Sequence, residues 1–315
     1  AKAEAAAARA LEILPSSRAM GITADVCGEI GAGIFRWADL IVGGLDNREA
    51  RLHLNRLAWR FNKPFIDGAI EQLDGIARTF IPDPAQENAC YECTLGERDW
   101  QLLAQRRSCA LLSREQMQTG HTPTTPTVSS IIGAIEVQEA VKILHDIPVV
   151  PAEAFVFRGL SLETERVRYT RNPSCLAHET LRDVIELDRR ADEMRVAELL
   201  DLAREMLGDG AVIDVGRDLV TSFACTCGRT EWVGRALSRV RVGEAVCACG
   251  LTREAMLVHQ LESGASFEDR TLAEMGVPRF DVLIARKDDR AIGLELSGDA
   301  SGVLGDLYDG GLRWA

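Results

Sequence analysis

Two pairs of soft metal ligands, far apart in the chain, constrain its fold more than any other feature. Cys90-Tyr91-Glu92-Cys93 and Cys175-Leu176-Ala177-His178 each place two ligands three residues apart, the spacing of a zinc knuckle. Together they supply three thiolates and one imidazole, which suits a closed tetrahedral structural site. One Zn²⁺ held there would tie the middle of the chain to the end of its first domain. A disulfide between Cys90 and Cys93, or two unrelated cysteine clusters, is the competing reading.

The chain has 315 residues and is 46% hydrophobic, enough for about two domains with their own cores. A net charge of −12 argues against a nucleic-acid backbone or an anionic membrane as the main partner. No apolar run approaches the roughly 20 residues of a membrane helix. No signal peptide is visible, and the opening Ala1-Lys2-Ala3-Glu4 reads as the inside of a helix, which predicts a native start further upstream. Nine cysteines, most of them in short clusters, fit a reducing cytoplasm with metal and thiol chemistry better than a disulfide framework.

Periodicity predicts a helix from Lys2 to Leu14, stopped by Pro15, and a short strand near Met20 to Val26. Residues 38–45 read as a buried strand, followed by a helix to about Phe61 and strands at 64–70 and 74–81. Strand, helix, strand in this order is a parallel α/β unit. Residues 129–145 read as an apolar helix, residues 155–171 as two strands, and residues 187–206 as a charged amphipathic helix. The expected domains are 1–182, a helical connector at 183–208, and 209–315. No internal repeat is apparent.

Asp46 falls where a parallel strand feeds a helix, the end of an α/β sheet at which ligands bind. A carboxylate there can hold Mg²⁺ against nucleotide phosphates. The simpler reading makes Asp46 the N-cap of the following helix, with Glu49 three residues on. Arg51 and Asn55 lie one turn apart on that helix and point the same way. Cys109 follows Arg106-Arg107-Ser108, and two nearby guanidiniums favour a nucleophilic thiolate; a buried core cysteine is the alternative. The stretch His121 to Thr127, with two prolines and four threonines, reads as a rigid crossing segment, and His121 as a loop residue. Cys225-x-Cys227-Gly228 and Cys247-x-Cys249-Gly250 form a second possible four-thiolate zinc set, with redox or incidental cysteines as the other reading.

These residues resemble the ThiF/MoeB/HesA family of ubiquitin-activating-type adenylyltransferases. The resemblance rests on Lys2-Ala3-Glu4, on residues 38–51 (ADLIVGGLDNREAR), on Lys63-Pro64-Phe65-Ile66-Asp67-Gly68-Ala69, on Cys90-Tyr91-Glu92-Cys93, and on the segment Pro123 to Leu144. It covers residues 1 to about 180. It implies a Rossmann-like α/β adenylation fold that uses ATP and Mg²⁺ to adenylate the C-terminal glycine of a ubiquitin-like or sulfur-carrier protein, commonly with transfer to a cysteine as a thioester. By motif match, Lys2 would contact the phosphates and Asp46 would bind Mg²⁺. Asn47 and Arg51 would line the nucleotide pocket, and Cys109 would be the thioester nucleophile. Cys90, Cys93, Cys175 and His178 would hold zinc, with His178 in place of the usual fourth cysteine. A homo- or heterodimer is the implied assembly.

Three departures from the family pattern stand out. The glycine-rich phosphate loop is absent; Gly28, Gly31 and Gly33 do not form it, so the chain reads as a member without its first strand–loop–helix units. The stretch from Cys109 to Pro123 is longer than in the simplest members. Residues beyond about 185 lie outside the minimal family core. There, residues 270–278 and 281–285 read as a short helix, a glycine turn and an edge strand, like the end of a ubiquitin-like β-grasp domain with an inserted zinc ribbon. Such a domain would dock a carrier or a conjugating enzyme. The alternative to an enzyme is a non-catalytic, zinc-stabilised subunit that scaffolds a complete activating enzyme.

Overall fold

Alanine-rich sequence free of Gly and Pro favours helix, and α1 forms over Lys2–Ile13. The structure, a computed structural model, describes residues 2–108 and 124–308. The strand predicted for residues 20–26 does not form. Gly21 instead lies on the backbone of α1, where an added Cβ would sit 2.5 Å from Ala3 and Glu4. A short helix, α2 (Ala32–Trp37), follows. The chain divides into two compact units, one of residues 35–181 and one joining residues 1–34 to 182–315.

The first unit begins with β1 (Ile41–Gly43), shorter than predicted, then α3 (Arg48–Arg60). β2 (Phe65–Glu71) and β3 (Asp74–Phe80) form a hairpin whose turn places Gln72 at φ 55°. After α4 (Glu97–Ser108) and α5 (Pro126–Leu144) come β4 (Glu153–Arg158) and β5 (Glu163–Arg168). The sheet order is β1-β2-β3-β4-β5. Only β1 and β2 run parallel, Ile41 beside Phe65; the other pairs are antiparallel. α5 starts earlier than predicted because Thr125 accepts the Val128 N–H and Pro126 occupies the first turn, where its missing N–H costs nothing. Its Val128 and Ile132 pack on Ala77 and Phe157. Gly75 permits that approach, since a Cβ there would lie 2.4 Å from Ile132.

The second unit holds β6 (Val184–Glu186), α6 (Val196–Leu207), β7 (Val212–Ala224), β8 (Thr230–Ala236), β9 (Glu254–Leu261), β10 (Val282–Lys287), β11 (Arg290–Glu295) and α7 (Ala300–Leu304). Its sheet runs β6-β11-β10-β7-β8, with β9 also on β7. Several expectations change here. Residues 183–208 are not a connector: β6 belongs to the sheet, and Leu199, Leu200 and Ala203 of α6 are buried in its core. The helix begins only at Val196, after turns at residues 191–193, and Glu198 accepts the Arg195 N–H at 3.4 Å at its start. β10 is not an edge strand but lies between β11 and β7, and residues 272–276 are turns. The features that suggested a β-grasp ending are therefore not present in that form.

Buried charge explains why the N-terminal segment groups with this unit. Asp281, 1% exposed, accepts the Ala32 N–H at 2.7 Å and the Arg217 guanidinium at 2.7 Å. Gly31 and Gly33 press against the Arg279–Phe280 backbone, where a Cβ at Gly31 would lie 2.2 Å from the Arg279 oxygen. Those glycines serve packing. Among the described residues, no helix is long and apolar enough to cross a membrane.

Candidate functional site

α3 organises two functional features, one at each end. At its start, Asn47 is the N-cap: its side chain accepts the Ala50 N–H at 2.8 Å, and its amide donates to Asp46 at 2.9 Å. The cap predicted at Asp46 thus belongs to the next residue. Asp46 is left exposed beyond the carboxyl end of β1, where a cation or a polar ligand can reach it.

Arg51, one turn on, is buried. Its guanidinium donates to Asp67 at 2.8 Å, to the Gly68 carbonyl at 3.0 Å, and to the Leu45 carbonyl in a short contact. It therefore clasps the end of β1, just before Asp46, to β2. Asp67 is fully buried and takes a second guanidinium, Arg78, at 2.7 Å. Burial raises the Asp67 pKa, and the two arginines oppose that rise. Glu136 of α5 fills the space left by Gly68, where a Cβ would lie 2.5 Å from its carboxyl carbon. Desolvation, with Asp67 adding to it, pushes Glu136 up to about 7, and its Oε1 is buried without a partner. Sequence reading missed Asp67, Arg78 and Glu136; the only signal was three charges within otherwise apolar runs.

At the far end of α3 the predicted ligand set comes together. Cys90, Cys93, Cys175 and His178 present donor atoms all within 4.8 Å of one another. The Cys90 sulfur lies 3.7 Å from both Cys93 and Cys175, and the Cys93 sulfur lies 3.5 Å from His178 Nε2. Tetrahedral coordination with Zn–S near 2.3 Å and Zn–N near 2.0 Å sets sulfurs about 3.8 Å apart and sulfur and nitrogen about 3.6 Å apart. The donor set fits. A disulfide, with sulfurs at about 2.05 Å, does not. Cys93 is pushed down in pKa, first by the Cys90 thiol and also by His178 and the Asn172 N–H.

α3 also builds the wall of that cluster. Asn55, fully buried, accepts the Tyr91 N–H at 2.9 Å. Arg56 forks onto Glu92 at 2.7 and 3.2 Å. Trp59 meets the His178 ring edge-on at 4.3 Å. Only Asn55 had drawn attention in the sequence, and for a different purpose.

The remaining candidates sit elsewhere. Lys2 opens α1, in the second unit. Cys109 and His121 lie outside the described residues. Cys225, Cys227, Cys247 and Cys249 gather in the second unit.

The ThiF family profile matches residues 1–177, more than half of the sequence and all of the α3 site except His178. This chain belongs to the ThiF family. The SAMP-activating enzyme E1 of Haloferax volcanii is 25% identical over 181 residues, 55% of this chain and 59% of that protein. The chain thus spans less than two thirds of that relative's length. Among solved structures, Escherichia coli MccB with ATP gives a TM-score of 0.43 at 14% identity, over 57% of this chain and 50% of that chain. MccB with AMPCPP and MccA gives 0.42 at 14%, over 56% and 51%. The ThiF match ends before the second cysteine cluster, which the family does not account for.

Proposed function

We propose that this protein activates the C-terminal glycine of a ubiquitin-like or sulfur-carrier protein by adenylation. The observation that carries the reading is the ThiF match over residues 1–177 together with an exposed Asp46 directly beyond a parallel strand. The name of the Haloferax relative, which activates SAMP, points to the same substrate class. Asp46 would hold Mg²⁺, which supplies charge neutralisation for the ATP phosphates. Asn47 orients the Asp46 carboxylate, and Arg51 pins the backbone that presents it. The carrier's terminal carboxylate attacks the α-phosphorus of ATP, its new bond replaces the bond to pyrophosphate, and pyrophosphate leaves. Zinc at Cys90, Cys93, Cys175 and His178 would be structural, because protein donors fill all four positions.

Carrier-dependent exchange of pyrophosphate into ATP, measured on the native full-length protein, tests this. Asp46→Ala should abolish exchange while the fold and zinc content stay intact. Undiminished exchange in Asp46→Ala would sink the assignment. Cys109→Ala separates the steps: exchange should persist, and a reductant-sensitive carrier thioester should disappear. Exchange with no thioester in the wild type would leave adenylation standing and favour a sulfur-carrier substrate.

A further inference from the structure

The second unit contains a repeat that is easily overlooked because it is six residues long. Residues 225–230 read Cys-Thr-Cys-Gly-Arg-Thr and residues 247–252 read Cys-Ala-Cys-Gly-Leu-Thr, a twice-used Cys-x-Cys-Gly-x-Thr. The backbone repeats with it. The first cysteine's N–H donates to the residue four on, Cys225 to the Arg229 carbonyl at 2.9 Å and Cys247 to the Leu251 carbonyl at 2.8 Å. The glycine N–H returns to the first cysteine's carbonyl, at 2.9 Å in one turn and 2.8 Å in the other. Gly228 and Gly250 sit at φ 87° and 85°, a conformation open to glycine. The flanking residue pairs across to the threonine in both, Ala224 with Thr230 and Val246 with Thr252.

The two turns face each other. The Cys225 sulfur lies 3.6 Å from Cys249, and the Cys227 sulfur lies 3.8 Å from Cys247. All four donors fall within 4.8 Å of one another. Those separations come close to the roughly 3.8 Å of sulfurs around one tetrahedral zinc. Arg253, next to the second turn, donates to the Glu244 carbonyl and stacks 4.8 Å over Phe223 of β7, so the protein already holds the turns in register.

We propose that Cys225, Cys227, Cys247 and Cys249 bind one zinc ion in a tetrathiolate centre built from a duplicated knuckle, independent of the centre at Cys90. On binding, each thiol gives its proton to solvent and the sulfur lone pair to the metal. The ion cross-links the β7–β8 turn to the segment that leads into β9, an arm in which those turns share no strand pairing of their own. The inference does not depend on the adenylation reading, because its residues lie beyond the ThiF match.

Elemental analysis and cadmium NMR on the full-length protein test it. The wild type should carry about two zinc ions per chain, and cadmium exchange should give two resonances, one of tetrathiolate and one of three-sulfur, one-nitrogen type. The Cys227→Ser, Cys249→Ser double variant, which alters the two exposed ligands, should lose half the metal and only the tetrathiolate resonance. Cys93→Ser should lose only the other. Should the double variant fold poorly, the wild-type spectrum decides alone. Absence of the tetrathiolate resonance from the wild type, or two ions retained by the double variant, would overturn the proposal.

Discussion

Glu136 shows what one residue in this fold is made to bear. Its carboxyl faces Asp67 on β2, whose own charge is met by Arg51 and Arg78. With a folded pKa of about 7 against 4.5 for the free group, the folded chain keeps a proton that the unfolded chain releases. Stability from this site should therefore fall as pH rises from about 4.5 to about 7, and stay level above that. Glu136→Gln should remove the slope and stabilise the protein at pH 8 by about 2–3 kcal/mol, read from urea midpoints across that range. A wild-type slope of opposite sign in Glu136-dependent stability would show the carboxyl to be ionised in place. Asn47→Ala makes a separate expectation at this scale. Loss of the cap should cost about 0.5–2 kcal/mol in urea unfolding and lower exchange activity as well, because the Asp46 carboxylate loses its amide partner.

Among the elements, α3 links the two features. Its first turn orients Asp46, its second clasps β1 to β2, and its last two turns hold the Cys90–Cys93 turn and His178. Asn55→Ala should orphan the buried Tyr91 N–H, at about 1–3 kcal/mol. It should also loosen metal at Cys90 and Cys93 by about 10–100-fold, measured by chelator competition. Metal affinity unchanged in Asn55→Ala would show that the knuckle keeps its shape without α3. Sequence periodicity located this helix to within a residue at its end, because its apolar residues recur at helical spacing. It did not reveal that Asn55, Arg56 and Trp59 serve the cluster, since their partners Tyr91, Glu92 and His178 are distant in sequence.

For the whole molecule, the two units have separate cores, and among the described residues each contains one four-donor cluster. Stripping metal with a strong chelator should lower the thermal transitions of both, because metal bound only to the folded state stabilises it by mass action. Cys93→Ser should lower one transition and Cys227→Ser the other, followed by calorimetry. A single transition, moved equally by either substitution, would mean that the units melt as one body.

The residues that make chemistry were readable because their spacing is local: Cys-x-x-Cys, Cys-x-x-His, and the Asp-Asn pair that ends a short apolar run. Ligand type and spacing marked the residues of both four-donor clusters, and an ordered set of motifs marked the family. Three matters were left to the tertiary structure. Whether Asp46 caps a helix or stays exposed depended on which of two adjacent polar side chains reached the Ala50 N–H. Whether residues 183–208 linked domains or filled a core depended on a surface for α6 to cover, supplied in part by strands distant in sequence, Leu283 of β10 and Leu294 of β11 among them. The pairing of residues 1–34 with the C-terminal unit draws on a buried carboxylate, Asp281, that takes donors from Ala32 and Arg217, and on Gly31 and Gly33 packed against the Arg279–Phe280 backbone. Burial and long-range hydrogen bonding leave no period in a sequence, so only the folded chain could decide them.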